Sequence, residues 1–459
     1  MVEILDIGSE GKAIARIDNL VVFVRHAVPG DIADLRIVQK KKRYLEGLPV
    51  KFHSYSKDRI EPFCSHFGVC GGCKWQQLPY DRQLFYKQKQ VKDNFERLGK
   101  LPTDSMMQII AAPEIKYYRN KLEYTFSNKR WMTADEIGND GNLDMNALGY
   151  HIPDRFDKVL DIRECYLQPH PSDAIRNAIK TFTSENCYDF YNFRKHIGYL
   201  RNLIIRTSSL GELMIILSVG SDDDILLKPL LDNILENFPG ITSLSYVINE
   251  KLNETLYDLD VVVYHGRPFI YEQLDNLKYI IGPKTFFQTN SAQAAVLYSL
   301  IREFAALRSG ENVYDLYTGA GTIACYIAND CKHVTGIESV AEAIEDANAN
   351  AVLNHISNAS FLAGDIKDML NDDFVKKYGK PDVIITDPPR VGMHEQVVKK
   401  ILELAPERIV YVSCNPATQA RDLAMMTDQY RIEKIQPVDM FPQTHHVENI
   451  VLLNRKQKL

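Results

Sequence analysis

The chain has 459 residues, more than one ordinary hydrophobic core organises, so two to four domains are expected. Its composition, 45% hydrophobic and 25% charged, is typical of a globular protein, and it contains no apolar run of 18 residues that could span a membrane. Residues 1–100 carry a formal charge of +6 and the remaining residues −12, which indicates a basic module for a polyanion beside an acidic body. The first residues lack the apolar core of a secretory signal, so we expect a cytoplasmic protein whose cysteines are reduced or bind metal.

Residues 1–58 are predicted to form a small β-barrel. The segments 13–17 and 20–24 are rich in β-formers, and a turn follows at 29–31. Several short strands in so few residues favour an OB-like barrel of the kind that binds oligonucleotides. The basic run 40–43 could contact phosphate, although a solvated surface is an equally good interpretation, and an SH3-like packing module without a ligand stays open.

Residues 59–280 are predicted to form a central α+β domain. Charged and apolar residues alternate over 81–98 in the manner of a helix. Further along, β-type segments at 203–205, 213–217 and 261–264 are separated by helical stretches at 172–182 and 223–236.

Residues 281–459 repeat a strand followed by a helix. Strands are predicted at 312–316, 333–338, 383–387 and 408–412, with helices at 321–329, 340–354 and 394–404. This alternation predicts an α/β, doubly wound, Rossmann-like domain with a mostly parallel sheet. Ligands of such sheets bind outside the carboxyl ends of the strands, so we expect the site there.

The first two of these strands end in residues suited to a nucleoside. Gly319 and Gly321 allow a tight turn with close backbone approach, and Glu338 at the next strand end could bind both ribose hydroxyls. Asp365, after a later strand, could contact an adenine amino group. The turn lacks the third glycine of a dinucleotide fingerprint, which favours S-adenosylmethionine over NAD. An empty crevice in a doubly wound domain is the alternative.

Three later strand-end motifs carry reactive groups. Asp387 begins an Asp-Pro-Pro loop that continues with Arg390, not the aromatic residue typical of enzymes that methylate exocyclic amines. Cys414 follows the next strand, where its thiolate could add to carbon 6 of uracil and make carbon 5 nucleophilic. Glu448 could then remove the proton from carbon 5. The alternatives are a buried structural thiol and a surface carboxylate.

Together these motifs resemble the RumA-type 23S ribosomal RNA (uracil-5-)-methyltransferases over essentially the whole chain. The matching segments are Phe287–Asn290, Asp315–Thr322, Asp387–Arg390, Ser413–Pro416 and His446–Glu448. The resemblance implies a class I methyltransferase domain with Cys414 as nucleophile and Glu448 as base. It also implies cofactor contacts at Gln288, Tyr317, Thr322, Glu338, Asp365 and Asp387. The family often has asparagine where Thr322 and Asp365 stand, so these two contacts depart from its pattern.

Three cysteines, Cys64, Cys70 and Cys73, lie too close in sequence for ordinary core packing, and Cys165 is a candidate fourth ligand. Zinc or a [4Fe-4S] cluster would both fit this count. The resemblance favours [4Fe-4S], with a role in structure or RNA contact, because methyl transfer needs no electron.

The resemblance also implies that residues 1–58 form a TRAM domain, and that Tyr118–Lys121 contact RNA through phosphate binding and base stacking. The expected partner is a uridine of 23S ribosomal RNA, at one or two sites, and the T-loop of transfer RNA is the alternative. The barrel and the four cysteines favour ribosomal RNA, since the bacterial transfer-RNA enzyme typically lacks both. A non-catalytic RNA-binding iron–sulfur protein is the alternative of another class. We expect a monomer.

Overall fold

The computed structural model describes residues 1–133, 136–137 and 144–457. Within them the chain forms a closed barrel, a central seven-stranded sheet, a two-stranded hairpin and a second seven-stranded sheet. This mixed α/β architecture confirms the predicted fold class. Among the described residues, none of the helices is both long and apolar enough to cross a membrane.

The barrel comes first and closes in the order β1-β2-β3-β5-β4. Its strands are β1 (Val2–Ile7), β2 (Ala13–Ile17), β3 (Leu20–Val24), β4 (Ile32–Lys40) and β5 (Tyr44–Ser54). Alternate residues such as Ala13, Ala15, Val22 and Val24 fill its interior, which explains the period of two in the sequence. A short turn between β1 and β2 ends at Gly11, whose backbone has a φ of 71°.

The central sheet has the order β12-β11-β10-β9-β6-β7-β8. Helix α1 (Tyr80–Asn94) precedes it in the chain. The strands of the sheet are β6 (Lys121–Ser127), β7 (Ala147–Ile152), β8 (Arg155–Asp161), β9 (Leu200–Thr207), β10 (Leu213–Val219), β11 (Ser243–Ile248) and β12 (Val262–Gly266). Helix α2 (Ser172–Glu185) connects β8 to β9, and α3 (Asp224–Asn237) connects β10 to β11. All of β10 is buried because its alternate side chains enter two different cores: Met214 and Ile216 on one face, Leu213, Ile215 and Leu217 on the other. A continuous apolar run is therefore what this strand requires.

The C-terminal sheet has the order β17-β16-β15-β18-β19-β21-β20, and only β21 runs antiparallel to its neighbours, β19 and β20. After the hairpin β13 (Ile270–Leu274) and β14 (Leu277–Ile281) come α4 (Ser291–Ala305), β15 (Asn312–Leu316), α5 (Thr322–Ile327), β16 (His333–Glu338), α6 (Ala341–Leu353), β17 (Ala359–Ala363), α7 (Ile366–Met369), α8 (Asp372–Tyr378), β18 (Val383–Thr386), α9 (Glu395–Leu404), β19 (Arg408–Ser413), α10 (Pro416–Ala424), β20 (Tyr430–Val438) and β21 (Glu448–Arg455). The predicted domain boundaries at residues 58 and 280 stay predictions, with β5 ending at Ser54 and α4 beginning at Ser291.

Candidate active site

Most of the predicted site residues line the carboxyl edge of the C-terminal sheet. They lie at or just after the ends of β15, β16, β17, β18 and β19: Tyr317, Glu338, Asp365, Asp387 and Cys414. Glu448 is the first residue of β21, which runs antiparallel to β19, so its strand begins at the same edge. The sheet therefore brings six residues, scattered over more than 130 positions of the sequence, to one side of the domain.

The turn after β15 adopts a left-handed backbone at three positions, with φ of 64° at Tyr317, 53° at Gly319 and 72° at Gly321. A Cβ atom on Gly321 would lie 2.8 Å from the Cβ of Ala347, so this position has no room for a side chain. A Cβ on Gly319 would meet nothing within 4 Å. The turn thus leaves open space beside its backbone, where a ligand can approach closely.

Glu338 closes this turn from the neighbouring strand. One carboxylate oxygen accepts a hydrogen bond from the amide of Gly319 at 3.2 Å, and the other accepts from the amides of Ser339 at 2.7 Å and Val340 at 3.1 Å. Burial and nearby carboxylates, among them Asp365 and Glu338, raise the pKa of Tyr317 to about 12. Tyr317, Glu338 and Asp365 therefore lie at the ends of three adjacent strands, β15, β16 and β17.

Two further predicted cofactor residues are fixed by elements outside the sheet edge. The hydroxyls of Thr322 and Tyr298 lie 2.9 Å apart, which ties the start of α5 to α4. Gln288 is buried, and its backbone carbonyl accepts a hydrogen bond from Asn120 Nδ2 at 2.9 Å. The loop containing Gln288 also donates through Asn290 Nδ2 to the carbonyl of Met440 at 3.0 Å. It is thus held between the central domain and the segment that leads to Glu448.

Asp387, Cys414 and Glu448 come from three adjacent strands, β18, β19 and β21. Glu448 stands next to the pairing of Ser413 with Asn449, and the thiol of Cys414 follows directly after Ser413. Both carboxylates act electrostatically on this thiol. A thiol and two carboxyl groups therefore lie at the ends of three neighbouring strands.

The pKa of each of these three groups is raised above its ordinary value. Burial and then Asp387 raise the pKa of Glu448 to about 8. Burial and then Asp315 raise the pKa of Asp387 to about 7. Burial, Glu448 and Asp387 raise the pKa of the Cys414 thiol to about 12, while the charge of Arg390 opposes this rise. A positively charged ligand would therefore favour ionisation of all three groups.

The loops that carry Asp387 and Cys414 are bound to one another. The carbonyl of Arg390 accepts hydrogen bonds from Asn415 Nδ2 at 2.9 Å and from the Thr418 hydroxyl at 3.3 Å. Asn415 also caps α10 by accepting from the amide of Ala417 at 3.1 Å. The Ser-Cys-Asn-Pro motif is thus a helix cap that fixes Cys414 beside the Asp-Pro-Pro loop.

Known proteins share this architecture. The model of the tRNA (uracil-5-)-methyltransferase family matches residues 257–456, and that of the TRAM domain matches residues 1–50. An uncharacterized RNA methyltransferase of Bacteroides thetaiotaomicron is 56% identical over 97% of this chain and 99% of its own. Another, from Porphyromonas gingivalis, is 53% identical over 99% of both chains. This chain belongs to the RNA (uracil-5-)-methyltransferase family.

The methyltransferase also resembles a solved structure over its full length. The tRNA (uracil-54, C5)-methyltransferase of Pyrococcus abyssi, in complex with S-adenosyl-L-homocysteine, is 29% identical, with a TM-score of 0.76 over 99% of this chain and all of the other. The barrel, the central domain and the doubly wound sheet therefore recur as one unit. The chain is an S-adenosylmethionine-dependent RNA methyltransferase.

The four predicted metal ligands of this methyltransferase meet around a cavity in another part of the chain. Cys64, Cys70, Cys73 and Cys165 line it together with apolar and aromatic side chains such as Tyr150 and Ile162. The amide of Cys165 donates to the carboxylate of Asp173 at 2.9 Å, which fixes the segment after β8. Folding thus brings the distant Cys165 to the other three thiols.

These thiols surround a cavity and do not form a compact ligand set. Within residues 1–133, 136–137 and 144–457, no group of three or more His, Cys, Asp or Glu side chains is arranged to hold a metal ion. Burial raises the pKa of Cys70 and of Cys73 to about 12, and raises the pKa of Cys64 and Cys165 too. Without a positive centre in the cavity, all four remain neutral thiols at neutral pH.

The expected RNA contact at Tyr118 is wrong, because its ring is buried and its hydroxyl donates to the carbonyl of Pro442 at 2.9 Å. Asn120 of the same segment donates to Gln288 and to the Ser291 hydroxyl. Arg119 stacks on the ring of Phe441, 5.2 Å from its centre. This segment therefore contacts the loops at 288–291 and 441–442 of the C-terminal domain, which its basic and aromatic composition did not indicate.

Proposed function

We propose that this methyltransferase transfers a methyl group to carbon 5 of a uridine, with Cys414 as nucleophile and Glu448 as base. The observation that carries the proposal is the adjacency of Asp387, Cys414 and Glu448 on three neighbouring strands. Carbon 5 is a poor nucleophile until another group has added to carbon 6. The reaction therefore needs a thiolate and a separate base close together, roles that we assign to Cys414 and Glu448.

S-adenosylmethionine, when bound, supplies an electrophilic methyl group on a positively charged sulfur. The turn after β15 fits such a ligand, because Gly319 leaves its backbone open and the Glu338 carboxylate is fixed beside it. We assign the cofactor contacts to Gln288, Tyr317, Thr322, Glu338, Asp365 and Asp387. The solved structure from Pyrococcus abyssi supports the choice of cofactor, since it holds S-adenosyl-L-homocysteine, the demethylated donor.

The proposed reaction has three steps. The Cys414 thiolate forms a bond to carbon 6, and the electrons of the ring double bond move to the oxygen on carbon 4. Carbon 5 of this enolate then bonds to the methyl group, whose former bond pair stays on the donor sulfur. Finally the Glu448 carboxylate takes the proton from carbon 5, the double bond re-forms and the thiolate leaves. Arg390 assists the first step, because its charge lowers the pKa of the thiol.

We propose 23S ribosomal RNA as the substrate, with the target uridine turned out of its stack to reach Cys414. The resemblance to the RumA-type enzymes supports this choice. The T-loop uridine of transfer RNA is a second candidate, and one observation favours it. The Pyrococcus abyssi protein acts on transfer RNA and matches this chain along its whole length, barrel included. A barrel therefore does not discriminate between the two RNAs.

We propose further that Cys64, Cys70, Cys73 and Cys165 hold a [4Fe-4S] cluster with a structural role. Four sulfurs bound to one zinc ion lie about 2.3 Å from a common centre, and so close to one another. Thiols spread around a cavity fit the larger cluster better. Purification without oxygen followed by iron, sulfide and zinc analysis tests this. About four irons per chain are expected, and their loss in Cys70→Ser; one zinc, or no metal, would overturn the assignment.

Mapping of 5-methyluridine in ribosomal and transfer RNA, from cells with and without this gene, tests the substrate. Loss of the modification from one 23S position, or two, supports the proposal. Loss from the T-loop alone would replace it with the second candidate, and unchanged levels in both RNAs would reject both. Cells that express Cys414→Ala in place of the wild type should match the deletion if the chemistry is as proposed.

A further inference from the structure

The segment that leads into Glu448 is a loop of irregular structure, residues 439–447, between the antiparallel strands β20 and β21. Such a loop has no ladder of backbone hydrogen bonds to fix it, yet it is anchored from several sides. Asn290 holds the carbonyl of Met440, and Tyr118 holds that of Pro442. We call this segment the base loop.

A charged anchor of the base loop is Lys87 of α1. The ammonium group of Lys87 lies 2.5 Å from Asp439 Oδ1 and donates to the carbonyl of Phe441 at 2.9 Å, and both charged side chains are 0% exposed. The carboxylate of Asp439 is further satisfied by the amide of Phe441 at 3.0 Å and by the hydroxyl of Tyr80 at 2.8 Å. A lysine of helix α1 thus bonds to both ends of a tripeptide at the start of the base loop.

A second anchor on the same helix is Gln83, one turn earlier. Its amide nitrogen donates to the side-chain oxygen of Gln443 at 3.0 Å, and its oxygen accepts from the backbone amide of Gln443 at 2.9 Å. Gln443 has a φ of 67°, a backbone that non-glycine residues rarely adopt. Its carbonyl accepts from the amides of Lys74 and Trp75, at 2.8 and 3.1 Å. Hydrogen bonds therefore hold this left-handed position through the backbone amide, the carbonyl and the side-chain oxygen of Gln443.

A buried ion pair is a poor way to stabilise a fold, because the desolvation of two charges offsets their attraction and apolar side chains of similar size do as well or better. Its directional bonds can instead fix one loop conformation. We propose that Lys87 is a positioning residue, which holds the base loop so that the Glu448 carboxylate meets the proton on carbon 5. This inference rests on the proposed role of Glu448.

The test compares Lys87→Met with Lys89→Met on the same helix. Lys89 pairs with Asp6 and Asp93 at 28% exposure and has no hydrogen bond or ion pair to the base loop, so it is a matched control. Displacement of a reacting group by about 1 Å can slow a step about a hundredfold. Lys87→Met should therefore lower kcat by about tenfold to a hundredfold, with little change in KM for the methyl donor. Methylated RNA covalently bound to Cys414 should accumulate, since the step that fails is proton removal.

Hydrogen exchange supplies a readout that does not depend on activity. The amides of residues 439–447 should exchange faster in Lys87→Met than in Lys89→Met, while the amides of β15 and β16 stay protected. If Lys87→Met is too unstable to be analysed, Tyr80→Phe removes one hydrogen bond to Asp439 with little change of shape. Tyr80→Phe should then give a smaller increase in exchange over residues 439–447. Exchange in the base loop as slow as in the control, or loss of kcat without accumulated adduct, would overturn the proposal.

A Glu448→Gln variant separates this inference from the proposed function. If Glu448→Gln traps the adduct and Lys87→Met does not, Glu448 is the base and only the positioning role is lost. If Glu448→Gln turns over normally, the base has been misassigned and the inference falls with it.

Discussion

Acidification should slow the release of the covalent RNA adduct. Burial and the neighbouring Asp387 raise the pKa of Glu448 to about 8, so the fraction of the carboxyl group that can act as a base falls as the pH drops below that value. At about pH 6, roughly one molecule in a hundred carries the ionised group that must take the proton. The release rate should therefore fall about tenfold per pH unit below about pH 8, and be about a hundredfold below its plateau at about pH 6.

The release rate is measured after the methyl group has been transferred, which separates it from the ionisation of Cys414. Enzyme, RNA and labelled S-adenosylmethionine are mixed in a single turnover, and the label that migrates with protein on a denaturing gel is followed over time. Asp387→Asn removes a charge that raises the pKa of Glu448, so the midpoint should move to lower pH. A release rate that is constant from about pH 6 to about pH 8, or a midpoint unchanged in Asp387→Asn, would refute the reasoning.

Two predictions concern β15 and the turn that follows it. Burial raises the pKa of Asp315 to about 7, so its folded form keeps a proton that the unfolded chain releases, and stability falls as pH rises. Between about pH 5 and pH 8, the free energy of unfolding in urea should fall by about 2 to 3 kcal/mol more in the wild type than in Asp315→Asn. Equal pH slopes for the two proteins would contradict this. Gly321→Ala places a Cβ 2.8 Å from that of Ala347 at a positive φ, and should lower the free energy of unfolding by about 1 to 3 kcal/mol. Gly310→Ala, where a Cβ meets nothing within 4 Å, is its control, and equal stability of the two variants would contradict the assigned strain.

The C-terminal strands could be predicted from the sequence with accurate bounds. Segments 312–316 and 333–338 are strands with the same bounds in the structure. Their buried β-formers, such as Val313, Tyr314 and Val334, give the signal, although Asp315 and Thr335 interrupt the apolar residues. The run at 408–412 extends by one residue, to Ser413. Once these strands were placed, the topology of a doubly wound sheet sufficed to bring their ends together.

Less regular elements could not be predicted in this way. Strand β20 carries Arg431, Glu433 and Lys434 and contains Pro437, since it lies at the edge of the sheet, where charges and proline are tolerated. Its sequence therefore lacks an apolar run. Helix α10 begins with Pro416 directly after its cap Asn415, so the motif that draws attention to Cys414 is also a helix start.

Long-range side-chain contacts left no signal in the sequence. Lys87 and Asp439 are 352 positions apart, and neither belongs to a recognisable motif. Tyr118 lies in a basic and aromatic segment that favours RNA contact by composition, yet its ring is buried. Such contacts depend on how three structural units pack, which local patterns do not determine.

The central claim is that Cys414 forms a covalent bond to the uracil ring, and 5-fluorouridine RNA tests it most directly. Fluorine on carbon 5 cannot leave as a proton, so the reaction should stop after methyl transfer with the RNA bound to the enzyme. Mass spectrometry of the digested complex should then find the methylated fluorouracil on the peptide that contains Cys414, and no complex in Cys414→Ala. An adduct that persists in Cys414→Ala, or that lies on another residue, would contradict the account.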